Sequence, residues 1–432
     1  DHWLLGAGGL LLVFGLIMVA SASVAVAERQ TGDMLYYFRR QLAFAGLGLI
    51  ATAAMYSIPM RYWSRAGFAL LGFGLLLLVL VLIPGIGHEV NGARRWLDLG
   101  PVNLQASEVA RLCIILYLAS YVTRHRAQVQ TRIRGLLRPV LPLGVAAVLL
   151  LAEPDFGSTA VLLAVAAVML FLAGAKLLHL LLLGSVGVGT LAVLLVSSPY
   201  RLKRLSSFRD PFADPFDGGF QLTQSLIAIG RGEWTGVGFG NSIQKLLYLP
   251  ETHTDFLFAV IAEELGLVGV VVLMAVFGVL VWRGFLVAQT AANREDFFSA
   301  YVAWAIAAWV GLQASINIAV NMGVLPTKGL TMPFISYGGS SLLVNSAAVG
   351  VLLNISRPRE QPAPDGGEER AARDAQVRRG PGQPEHGDQV EDRVDHDERA
   401  GGAEHTARVP GQCVAHGQPC GLPGRLHLRE HR

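Results

Sequence analysis

The chain has 432 residues, 52% of them hydrophobic and 16% charged, with a mean hydropathy of +0.46. Soluble proteins average about 25% charged residues, so this deficit and the long apolar runs exclude an ordinary soluble domain and point to a polytopic membrane protein. A net charge of +3 is too small for a nucleic-acid binder, and three cysteines, Cys113, Cys413 and Cys420, supply no disulfide framework.

Spans need about 17–25 largely apolar residues. Ten runs qualify: 3–25, 42–58, 66–83, 107–122, 140–152, 158–173, 177–197, 256–282, 298–320 and 339–355. The first reads as an anchor rather than a cleaved signal. The chain opens on Asp1, so a short native N-terminal stretch is expected to be missing. The fifth run is short, and Pro142 near its start predicts a tilt or kink. The tenth carries Ser340, Ser341, Asn345 and Ser346 and should face protein rather than lipid. Arg and Lys crowd the loops 59–65, 123–139, 174–176 and 283–297, which puts both termini in the cytoplasm. The expected fold is an all-α polytopic membrane protein of about ten transmembrane helices, with a large extracytoplasmic loop between spans seven and eight.

Four polar constellations then fall on one side of the membrane. The first is Asn91-Gly-Ala-Arg94-Arg95-Trp96-Leu-Asp98, followed by Gln105-Ala-Ser107-Glu108 and Arg111. Arg beside Trp is an ordinary interface anchor, but guanidinium also binds phosphate bidentately. Glu108 and Arg111 are three apart on one helical face and should pair, structurally or functionally. The second is Glu153-Pro-Asp155-Phe-Gly157-Ser158, where Asp155 reads either as a helix cap or as part of an acidic site. The third runs from Gly219-Phe-Gln221-Leu-Thr-Gln224 through the glycines 230–240 to Glu251-Thr-His253-Thr-Asp255-Phe256. Its glycines only superficially resemble a phosphate loop, and no nucleotide signature exists. Asp255 stands at the mouth of an apolar helix, where an ionisable group usually marks a substrate or proton path. The fourth is Asn317, Asn321, then Leu325-Pro-Thr-Lys328-Gly-Leu-Thr-Met-Pro-Phe-Ile-Ser336-Tyr337-Gly-Gly-Ser-Ser341, a broken segment that belongs inside protein or along a wet cavity.

The tail 358–432 differs in kind. From residue 361 it lacks Lys, Ile, Phe, Tyr, Trp, Met, Asn and Ser, and cannot bury a core. It reads as a disordered cytoplasmic tail, or as an out-of-frame reading of GC-rich DNA rather than native sequence.

Together the segments 91–96, 105–108, 153–157, 219–255 and 326–341 resemble the SEDS family (shape, elongation, division, sporulation) over roughly residues 3–356. The run from Pro326 to Ser341 looks like the cell-division branch of that family rather than its rod-shape branch. Ala106 and Arg111 stand where the family usually has Pro and Lys.

The resemblance implies a SEDS domain over 1–357 and a peptidoglycan glycosyltransferase that polymerises lipid II on the outer face of the bacterial inner membrane, at the division septum. It implies lipid II and the nascent glycan strand as substrates, a class B penicillin-binding protein as transpeptidase partner and further division proteins around it. Asp255 is then the general base for the acceptor hydroxyl, made more basic by partial burial. Arg94, Arg95 and Lys328 are candidates for the diphosphate. Glu108, Arg111, Glu153, Asp155, Gln221, Gln224, His253 and Ser336 complete the expected substrate-binding set. A divalent cation, Mg or Mn, could bridge the diphosphate, although no ligand set demands one. Two rival readings are a lipid II flippase and a non-catalytic division scaffold. The former lacks an evident internal repeat. The latter does not need a carboxylate in the membrane mouth.

Overall fold

The computed structural model describes residues 1–90, 93–98, 100, 103–196, 208, 211–212, 219–245, 252–326 and 329–357. They belong to one compact unit, Asp1–Arg359. The predicted tail lies outside the described residues, as do Lys328 and residues 246–251.

Ten helices match the ten apolar runs: α1 (His2–Thr31), α2 (Tyr36–Ser57), α4 (Gly67–Leu82), α5 (Ala106–Arg124), α7 (Ile133–Ala152), α8 (Phe156–Leu172), α9 (Leu177–Val196), α11 (Leu257–Asn293), α12 (Phe297–Asn321) and α13 (Gly339–Ile355). Short helices α3 (Met60–Arg65), α6 (Arg126–Thr131) and α10 (Phe220–Gly232) lie between them. The fifth span is not short: α7 starts at Ile133 and holds both Pro139 and Pro142 within one helix of 20 residues. Arg134 and Arg138 had disguised its first turns as loop.

Burial sorts the helices. α5 and α12 are enclosed almost all round, whereas α1, α2, α4, α7, α9 and the later part of α11 expose rows of Leu, Val and Ile, as lipid-facing helices must. The polar residues of the tenth span, Ser340, Ser341, Asn345 and Ser346, are all buried, as expected. Ser340 bonds to the Asn103 carbonyl and Ser341 to Thr331, whereas Ser346 faces α2, which approaches closely: a Cβ on Gly350 would lie 2.5 Å from the Thr52 carbonyl oxygen. Small residues let membrane helices pack backbone to backbone, and Thr52 Oγ1 donates to the Ser346 carbonyl at 2.8 Å.

Among the described residues, one element is not helical. A three-stranded antiparallel sheet, β1 (Gly87–Val90), β2 (Ala93–Asp98) and β3 (Asn103–Gln105), joins α4 to α5. Trp96 pairs with both His88 and Gln105, and β3 runs directly into α5. The sheet, the α7–α8 turn, the entry to α11 and the segment before α13 all sit at one end of the bundle. In that segment Leu330, Met332, Phe334 and Ile335 are buried in protein, as its broken backbone requires.

Candidate functional site

Asp255 precedes α11 by two residues and is half-buried. Its main chain is held firmly. The side-chain amides of Asn317 and Asn321, one turn apart on α12, donate to its carbonyl oxygen at 3.0 and 3.1 Å. Asn317 also donates to the Leu330 carbonyl at 2.6 Å, so one buried amide fixes Asp255 and the broken segment together. Both asparagines were visible in the sequence; their shared target was not. Asn321 gives its own carbonyl to Ser225 of α10 at 2.9 Å, which ties α10, and the half-buried Gln221 and Gln224 on it, to the same anchor.

β2 separates the two arginines, because neighbouring strand residues face opposite ways. Arg94 turns outward to Glu89 at 3.1 Å, an exposed pair on the sheet surface. Arg95 turns inward, and its guanidinium donates to the carbonyl oxygens of Glu153, at 3.1 Å, and Pro154. It also reaches the Asp255 side. A Cβ placed on Gly329 would meet Asp255 Oδ2 at 3.2 Å and Arg95 Nη1 at 3.8 Å. Asp255 and Arg95 therefore converge on one backbone position, where a Cβ would crowd the Asp255 carboxylate.

The two acids after α7 behave differently. Asp155 caps α8 through Ser158 N at 3.0 Å, and its other oxygen accepts from Ser107 Oγ at 3.1 Å, clamping α8 to the start of α5. Glu153 is fully buried, and both its carboxylate oxygens lack a hydrogen-bond partner. Burial, reinforced by the Asp155 charge and only partly offset by Arg95, pushes its carboxyl up to about 8. In neutral solution it is held mainly as the uncharged acid.

Glu108 and Arg111 pair at 3.3 Å as their spacing predicts, both almost fully buried. Arg111 Nη1 also donates to Gln313 Oε1 at 2.8 Å, and its guanidinium lies 5.2 Å from the Trp309 ring centroid. Gln313 in turn donates to the Thr331 carbonyl at 3.0 Å. The pair thus runs through the bundle to the broken segment.

His253 and Ser336 each make backbone or packing contacts. The His253 ring stacks against Tyr37 and Tyr337, with centroids 4.6 and 5.5 Å away, and its carbonyl accepts from Tyr337 N. Burial, with Tyr36 and Tyr37 adding and Arg40 opposing, pushes the Tyr337 hydroxyl up to about 12. Ser336 Oγ accepts from Met332 N at 3.0 Å and closes a turn. Among the described residues, no three or more His, Cys, Asp or Glu converge as a metal cage, and the acids near Asp155 are taken up by caps and pairs or, as Glu153, held neutral.

Glu263 and Glu264 of α11, both fully buried, went unremarked within the apolar run of the eighth span. Adjacent acids inside a span were the available signal. Their partners are Arg231, in the last turn of α10, and Lys245, in the loop that follows it.

Residues 2–361 match the family described as cell cycle proteins of the FtsW, RodA and SpoVE type. A "probable peptidoglycan glycosyltransferase FtsW" of Thioalkalivibrio sulfidiphilus is 54% identical, covering 82% of this chain and 88% of its own. A relative of the same name in Coxiella burnetii is 51% identical over 83% of this chain and 97% of its own. Among solved structures, one showing how a peptidoglycan synthase complex coordinates polymerization and crosslinking matches with TM-score 0.68 and 31% identity, over 84% of this chain and 99% of that one. The crystal structure of rod shape determining protein RodA from Thermus thermophilus matches with TM-score 0.62 and 30% identity, over 84% and 98%.

Proposed function

The chain belongs to the FtsW, RodA and SpoVE family and is a peptidoglycan glycosyltransferase; from that premise we propose that it polymerises lipid II at the outer face of the cytoplasmic membrane, with Asp255 as general base. The observation that carries this reading is the convergence of Asp255 and Arg95 on Gly329, beside a main chain pinned by two buried amides.

The chemistry follows from those groups. The Asp255 carboxylate takes the proton of the acceptor sugar hydroxyl as its oxygen attacks the anomeric carbon of the lipid-linked donor. The bond from that carbon to the diphosphate breaks, and the electron pair leaves with the phosphate oxygen. Arg95, which is always protonated, stabilises the charge that develops there. Lys328, one residue before Gly329, is a second candidate for that role. A divalent cation is a candidate supplement to these cations rather than a requirement of them. Arg94, paired outward with Glu89, is better suited to meeting lipid headgroups at the rim.

Orientation is inferred from the Arg and Lys of the loops at the opposite end, which suit the cytoplasm. A class B penicillin-binding protein is the proposed partner, supplying crosslinks at the septum; the likeness to a synthase complex that couples polymerization to crosslinking supports it. Purified protein given labelled lipid II, alone and with that transpeptidase, is expected to yield glycan polymer. Intact lipid II after both incubations refutes the reading.

A further inference from the structure

Resting on that reading, we infer that Glu263 and Glu264 are positioning residues that lock the loop strand 232–245 into a break in α11 and so set the position of Asp255. The break is at Gly266, whose φ of 63° and ψ of −166° suit glycine alone. In a continuous helix the N–H groups of Leu267 and Val268 would donate to the carbonyls of Glu263 and Glu264. Here Leu267 N donates to Glu233 O at 2.9 Å and Val268 N to Trp234 O at 3.1 Å. The Glu263 and Glu264 carbonyls accept instead from Val237 N at 3.0 Å and Gly238 N at 3.1 Å. The loop is spliced into the helix and takes up these four groups. Unpaired, each would be costly at membrane depth.

The glycines of this loop explain themselves by the splice. A Cβ on Gly236 would lie 2.1 Å from Glu264 O, and one on Gly266 would lie 2.4 Å from Gly236 N. They serve close backbone approach, not phosphate binding.

Two ion pairs close the splice from above. Glu263 accepts from Arg231 at 3.0 Å, from Ile243 N at 3.2 Å and from Ser242. Glu264 accepts from Lys245 at 3.0 Å and from Ser21 of α1 at 3.1 Å. Burial changes sharply at the break. Leu257 through Glu264 are all buried, while Leu267, Val268, Val271 and Val272 are exposed as lipid-facing residues are. The first two turns of α11, which follow Asp255, are thus uncoupled from the rest of their helix and take their angle from the loop. Small displacements of a catalytic group cost turnover rather than substrate binding.

Lys245→Met alone orphans a buried carboxylate and is expected to lower Tm. In Lys245→Met with Glu264→Gln both charges are gone, so Tm should return close to the starting value. Its kcat for glycan polymerisation should nonetheless stay about tenfold or more below the unaltered enzyme, with KM little changed. In the unaltered protein, the donating amides of Gly236, Val237 and Gly238, and those of Leu267 and Val268, should exchange with deuterium as slowly as those of a span. A double variant with normal Tm and normal kcat overturns the proposal. So does rapid exchange at 236–238 and 267–268, which decides the matter even if the double variant does not fold. Asp255→Asn keeps these outcomes separate: normal polymerisation by that variant would remove the catalytic reading while leaving the amide protection intact.

Discussion

Arg95 binds the backbone carbonyl of Glu153, at 3.1 Å, and leaves the Glu153 carboxylate without a hydrogen bond. The guanidinium and the carboxyl group are thereby kept from closing into a salt bridge. The guanidinium is oriented by a dipole, and the acid is silenced by burial.

Glu153→Gln should therefore preserve polymerisation, because the amide imitates the protonated acid. The sign of the pH effect follows from the raised value of about 8. A carboxyl whose folded value lies above its unfolded value stabilises the fold at low pH and loses that contribution as pH rises toward 8. Tm of the unaltered protein should fall between about pH 4.5 and 8, and the Gln variant should flatten this slope. Thermal unfolding in detergent across that range measures it. An inactive Gln variant would show that Glu153 works as an anion.

Asn317→Ala removes a donor shared by the Asp255 and Leu330 carbonyls. Losing these buried bonds should cost about 1–3 kcal/mol of stability. It should also lower kcat more than KM, since the base is misplaced rather than removed. Parallel Tm and steady-state kinetics test this, and unchanged kcat at reduced Tm would confine the residue to stability.

Arg111→Met should destabilise the protein by about 3–5 kcal/mol, because Glu108 is left as a buried unpaired charge. Removing both charges, with Glu108→Gln added, should recover much of that loss. Arg111→Lys should fall between, keeping the charge but not the planar reach to Gln313 and Trp309. Full polymerisation by the double variant would exclude either residue from the chemistry.

The ten spans were legible because apolar length is written locally in the chain. The sheet was not: its strands are three to six residues long, carry Arg94 and Arg95, and are stabilised by pairing that no local pattern announces. Asp255 could be singled out because a carboxylate at a helix mouth is anomalous. Arg95 could not be told from Arg94 until the strand gave each its own face. The pairs from Glu263 to Arg231 and from Glu264 to Lys245 cross 32 and 19 residues of chain and become visible only when the loop folds back. The tyrosine surroundings of His253 were likewise out of reach of the sequence, since Tyr37 and Tyr337 come from distant parts of the chain.

The most direct test of the central claim is Asp255→Asn in the purified enzyme with its partner, followed by lipid II binding and by glycan chain formation. The substitution keeps the shape of the side chain and its clamped carbonyl but removes the basic oxygen. Binding should remain within a few-fold of the unaltered enzyme while polymerisation drops about 10²–10⁴-fold. Polymer at the normal rate from the Asn variant would contradict the account.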